Sequence, residues 1–105
     1  MIDLATVKAH LRVDGDEEDS LILGYADAAI STFELWTNRR LIAEGEPLPE
    51  PVGNALLFRK SIQQGVLLLV GHWYATREAV AVGTIATEMP LATQALWKPH
   101  RWVNV

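Results

Sequence analysis

Phe58-Arg59-Lys60-Ser61-Ile62-Gln63-Gln64-Gly65-Val66-Leu67-Leu68-Leu69-Val70-Gly71-His72-Trp73 is the stretch on which the fold turns. Phe58, Ile62, Val66, Leu69 and Trp73 step by three or four residues, the spacing of one face of an α-helix. Arg59, Lys60, Gln63 and Gln64 mark a wet side near its start. From Val66 to Val70 the segment is apolar all round, as a central helix buried on every side reads. It also carries Gly65 and Gly71, each of which costs about 1 kcal/mol in a helix interior. Close approach of a neighbouring helix is the gain that would offset this. The pattern predicts a helix that begins between residues 52 and 58 and continues to about residue 77.

Toward the N-terminus, Leu4, Val7 and Leu11 recur at helical spacing, and Asp3 stands where a side chain can cap the first free N–H groups. This predicts a short helix over 3–11. Asp14-Gly15 is a turn signal. The acids that follow, Asp16-Glu17-Glu18-Asp19, suit a helix N-terminus, where the macrodipole favours negative charge. A second long helix is expected from about residue 16 to 37, with Ile22, Tyr25, Ala29, Phe33 and Trp36 as its apolar stripe. Leu21, Ala28 and Leu35 widen that stripe, as if the helix meets neighbours on more than one side. Asn38-Arg39-Arg40 closes it with cations near the last carbonyls. Residues 41–54 hold Gly45, Pro47, Pro49, Pro51 and Gly53 and read as a loop.

Beyond the central helix, residues 79–89 mix Gly83 with β-branched positions and read as a flexible loop. Pro90 suits the first position of a final helix running to about residue 98, with Leu91, Ala95 and Leu96 inward and Pro99 as its stop. The expected fold class is therefore all-α. It is a small bundle of about four helices, with a Pro-rich loop between the two long helices and a flexible loop before the last. The whole, residues 1–105, reads as one domain.

Composition bounds the function. Half of the 105 residues are apolar and 21% are charged, an ordinary globular balance. No apolar run approaches the ~20 residues of a membrane span, and no basic stretch followed by an apolar one marks a secretory signal. Cysteine is absent, which excludes disulfides, thiolate metal sites and cysteine nucleophiles. Nine Lys and Arg face thirteen Asp and Glu, for a net charge of −4. A protein that grips DNA normally presents a basic face to the phosphates. Tight nucleic-acid binding is not expected here.

Catalytic and metal motifs do not emerge. An EF-hand counted from Asp14 would need Gly at position six and Glu at twelve, where Asp19 and Tyr25 stand. The acidic run reads instead as solvated and helix-capping. His10, His72 and His100 lie in separate segments without zinc-site spacing. Ser20, Ser31 and Ser61 lack a nucleophile elbow. Gly45 and Gly53 lack the spacing and following Lys of a phosphate loop. No catalytic residue, cofactor or metal is expected. The tail 97–105 stands apart, because Trp97, His100, Arg101 and Trp102 combine aromatic and Arg character as interface anchors do. These four are the candidate partner contacts, against the reading in which the tail folds back on its own domain.

Several features together resemble one known family. They are Leu4-Ala5-Thr6-Val7-Lys8-Ala9-His10-Leu11-Arg12-Val13-Asp14, the acidic lead Asp16-Glu17-Glu18-Asp19, and Thr37-Asn38-Arg39-Arg40-Leu41. To these are added Leu67-Leu68-Leu69-Val70-Gly71-His72-Trp73-Tyr74-Ala75-Thr76-Arg77-Glu78 and Met89-Pro90-Leu91. In order and spacing these resemble the small head–tail connector proteins of tailed bacteriophages, a family also associated with DNA packaging. The resemblance implies a structural, non-enzymatic virion protein of the neck, present in the host cytoplasm during assembly. It implies a homo-oligomeric ring under the portal protein that extends the DNA channel without gripping DNA. It further implies a platform for a downstream neck or tail completion protein. It carries no catalytic residue or cofactor. The alternative from another class is a helical adaptor or regulatory module that binds one protein partner as a monomer or dimer.

Overall fold

The computed structural model of the chain describes residues 2–76 and 89–102. Helix α1 spans Leu4–Leu11. Asp3 caps it, its Oδ1 accepting the Thr6 N–H at 3.2 Å, and the hydrogen bonding from Thr6 holds this carboxyl below the usual range. The helix ends on Arg12 in the left-handed region (φ 60°). The Val13 N–H then returns to the Lys8 carbonyl at 3.0 Å and satisfies a terminal acceptor. Lys8 reaches across the following turn to Asp16 at 3.1 Å and Asp19 at 2.8 Å. Those contacts, Asp19 first, raise the pKa of the ammonium and tie α1 to the start of the next helix.

Helix α2 spans Asp19–Thr37 and buries Ile22, Ala26, Ala29, Phe33 and Thr37. Its three- and four-residue steps put all five on one face. Tyr25 and Trp36 are half-buried beside that face, while Leu21, Ala28 and Leu35 look outward. Asn38, left-handed at φ 57°, ends the helix and returns its N–H to the Glu34 carbonyl. Asn tolerates this conformation better than most residues.

The region after α2 departs from the all-α expectation. Strand β1, Arg40–Ile42, pairs in parallel with strand β2, Ala55–Leu57. The register sets Arg40 opposite Ala55, Leu41 opposite Leu56 and Ile42 opposite Leu57. The Phe58 N–H extends the ladder to the Ile42 carbonyl at 2.8 Å. The fold is thus mostly helical with a small two-stranded parallel sheet. Parallel strands need a crossover of a dozen residues or more, and residues 43–54 supply one without helix or strand. Three-residue strands are too short to show a period of two, which is why this pairing was hidden within a Pro- and Gly-rich stretch.

Helix α3, Lys60–Ala75, is the centre of the molecule. Phe58 just before it, then Ile62, Val66, Leu69 and Trp73, are all buried, as are Leu67 and Val70. Each large side chain buried this way contributes roughly 1.5–3 kcal/mol relative to exposure. Helix α3 runs antiparallel to α2. Trp73 lies 6.1 Å from Tyr25 at one end, and Tyr74 donates to Glu18 beside it. Gly71 faces α1, where an added Cβ would meet His10 Nε2 at 3.4 Å.

Helix α4, Leu91–Trp97, packs antiparallel on α3 and runs into a 3-10 turn, Lys98–His100. Its buried residues are Thr93 and Trp97; of the expected Leu91, Ala95 and Leu96, only Leu96 packs against the core, half-buried, while Leu91 and Ala95 are exposed. Leu91 is 81% exposed. Hydropathy alone misplaced Leu91 and Ala95, because the Thr93 hydroxyl has a carbonyl partner on α3 and the Trp97 ring fills the space beside Gly65. The flexible loop expected before the last helix lies outside the described residues.

Candidate partner-contact site at the C-terminal tail

The four tail residues converge on the place where α2 ends and α3 begins. Trp97 is fully buried. Its indole N–H donates to the Ile62 carbonyl at 3.2 Å, and its ring meets Phe33 edge-on with centroids 5.2 Å apart. Gly65 makes room for it: a Cβ there would lie 2.6 Å from Trp97 Cδ1. One turn earlier, the Thr93 hydroxyl donates to the Gly65 carbonyl at 3.1 Å. The glycine therefore serves close helix approach, with α4 as the neighbour.

His100 sits behind Trp97. Its Nε2 is 3.2 Å from Ser61 Oγ, and its carbonyl accepts the Arg39 Nε–H at 2.8 Å. Partial burial pushes the imidazole pKa below the ordinary 6.5, with the charges of Arg59 and Arg39 adding to the effect. The unfolded chain takes up this proton below about pH 6.5, whereas the folded chain resists it. More protons bind to the unfolded state, so stability is lost as pH falls through that range. The thermal midpoint of the wild type should therefore drop more between pH 7 and pH 5 than that of His100→Gln. Parallel pH profiles for the two chains would contradict this account of His100.

Trp102 and Arg101 complete the corner. The Trp102 N–H donates to the Thr37 carbonyl at 2.7 Å, an acceptor that the end of α2 leaves without a helical partner. Thr37 itself is buried, with its hydroxyl on the Phe33 carbonyl at 2.6 Å. The Arg39 guanidinium lies 4.9 Å over the Trp102 ring, and that of Arg101 lies 5.1 Å over Trp36. Stacking of this kind favours cation and ring together. Arg39 is the member that sequence reasoning missed. It read as a helix-end cation, and nothing in its spacing foretold a contact 61 residues away.

The corner can bind and can position, and the Ser61 hydroxyl and His100 imidazole, 3.2 Å apart, meet within it. Among the described residues no group of three or more His, Asp or Glu comes together as a metal site would require. No described helix is long and apolar enough to cross a membrane.

Among the described residues, four helices, a small parallel sheet and a tail held against the end of α2 and the start of α3 make up the fold. The family model described as phage gp6-like head-tail connector protein matches residues 1–101, and the chain belongs to that family. No curated protein and no solved structure matches the chain. Membership makes it a structural phage protein of the head–tail junction, of a kind that oligomerises and meets portal and tail proteins.

Proposed function

We propose that this chain is one subunit of a ring that sits beneath the portal protein of the filled head. The ring extends the DNA channel and offers a docking platform to the next neck or tail completion protein. The match of the connector family across residues 1–101 carries this reading. Net acidity of −4 supports passage of DNA without tight binding. Residues 1–105 act as a single connector domain. In the contact tail, Arg101, His100 and Trp102 offer the partner-facing atoms, and Trp97 holds the tail in place from within the core.

The test is genetic and morphological. Phage deprived of this chain should accumulate DNA-filled heads and free tails, and supplying the chain in trans should restore joined particles. Intact tailed virions made in its absence would contradict the reading.

A further inference from the structure

The charges of this chain are unevenly placed along α2, with cations gathered at one end. At its C-terminal end, where α3 begins and the tail closes, lie Arg39, Arg40, Arg59, Lys60, Lys98 and Arg101, six of the nine Lys and Arg. The crossover between the strands adds exposed Glu44, Glu46 and Glu50 beside this corner, so that the excess of cations there is carried by the α3 start and the tail. Before the N-terminal end of α2, the turn from α1 carries Asp14, Asp16 and Glu17, all exposed, with Arg12 as the one exposed cation among the described residues of that turn. The nineteen residues of α2 hold the two ends about 28 Å apart at 1.5 Å per residue. Among the described residues, ion pairs join Lys8 to Asp16 and Asp19, and none of the six cations takes part in one. Two of the six are already held in place, Arg39 on Trp102 and Arg101 on Trp36. A side chain fixed before binding loses less freedom when it binds. Each end also has an exposed leucine: Leu21 just after the acidic turn, Leu35 just before the basic corner.

We infer that the basic corner of one copy receives the acidic α1–α2 turn of the next copy, making a head-to-tail contact. This deepens the ring reading and rests on it. The partner is a second copy because the complementary charge is on the same chain, at the other end of the same helix. A two-fold contact through the acidic turn would set Asp14, Asp16 and Glu17 against the same residues of the other copy, and like charges across an interface cost several kcal/mol. A contact between different patches has no such conflict, and repeated with rotation it closes a ring. Duplex DNA is the competing occupant of a basic corner. It is disfavoured by the overall net charge of −4, and it would leave the exposed acidic turn without a role.

Charge reversal tests this. One variant carries Arg59→Glu with Arg101→Glu; a second carries Asp14→Lys with Glu17→Lys; a third carries all four. Mass is measured by light scattering over a concentration series, with and without purified portal protein, after circular dichroism has shown that each variant is folded. Each two-site variant should self-associate at least about a hundredfold more weakly than wild type, because like charges now meet. The four-site variant should recover assembly, since the signs are exchanged but complementary. Should it not fold, an equimolar mixture of the two-site variants should co-assemble instead. Two-site variants that assemble like wild type overturn this contact and leave the ring reading intact, as does absence of rescue in both the four-site chain and the mixture. A corner-reversed chain that assembles normally but loses salt-sensitive retention of duplex DNA reassigns the corner to phosphate. A wild type that stays monomeric even with portal overturns the ring reading, and this contact with it.

Discussion

Trp97→Ala is expected to lower stability by about 3–5 kcal/mol, the range for truncating a buried Trp or Phe. Domains of this size have only about 5–15 kcal/mol in total, so the variant should be largely unfolded well below the wild-type midpoint. The loss has three parts. The fully buried indole leaves a cavity beside Gly65 and Phe33. The Ile62 carbonyl loses the indole N–H it accepts. The tail then loses its anchor, and with it the Trp102 N–H that satisfies the Thr37 carbonyl at the end of α2. Urea unfolding followed by tryptophan-independent circular dichroism measures the effect. A loss under about 1 kcal/mol would mean that the tail is held from elsewhere.

Gly65→Ala carries the second large effect, and its sign is the informative part. In an ordinary helix interior the change gains about 1 kcal/mol, because alanine is the better helix former. Here the new Cβ would overlap the Trp97 indole, only 2.7 Å from Cε2. The indole is enclosed and hydrogen-bonded, so it cannot step aside without loss. Overpacking of this kind costs roughly 1–3 kcal/mol, which outweighs the propensity gain. Gly24→Ala is the control: nothing lies within 4 Å of its added Cβ, and it should stabilise by up to about 1 kcal/mol. If both substitutions stabilise, the close approach of α4 to α3 is wrong.

How much of this was legible in the sequence follows from the length of each signal. Phe58, Ile62, Val66, Leu69 and Trp73 repeat over four turns, so the buried face of α3 could be read directly. Gly65 and Gly71, costly in a helix, pointed correctly to close neighbours, though not to which ones. Asp3 and Asn38 marked the start of α1 and the end of α2. The two strands were not legible, because pairing of residues 40–42 with 55–57 depends on contacts that three residues cannot announce. Short α4 offered too few turns for hydropathy to settle its inward face. Trp97, His100, Arg101 and Trp102 stand out in the sequence as a cluster of aromatic and cationic residues. What they do within the chain was hidden, because their partners Ile62, Ser61, Trp36 and Arg39 are distant in sequence.

The measurement that tests the central claim most directly is the mass and shape of the protein on its portal. Purified portal rings are mixed with an excess of this chain, freed of unbound material, and examined by light scattering and negative-stain imaging. A second ring of many copies, stacked coaxially under the portal with an open central channel, is the predicted result. A portal that binds no chain, or only a single copy or a closed dimer of it, would contradict the account.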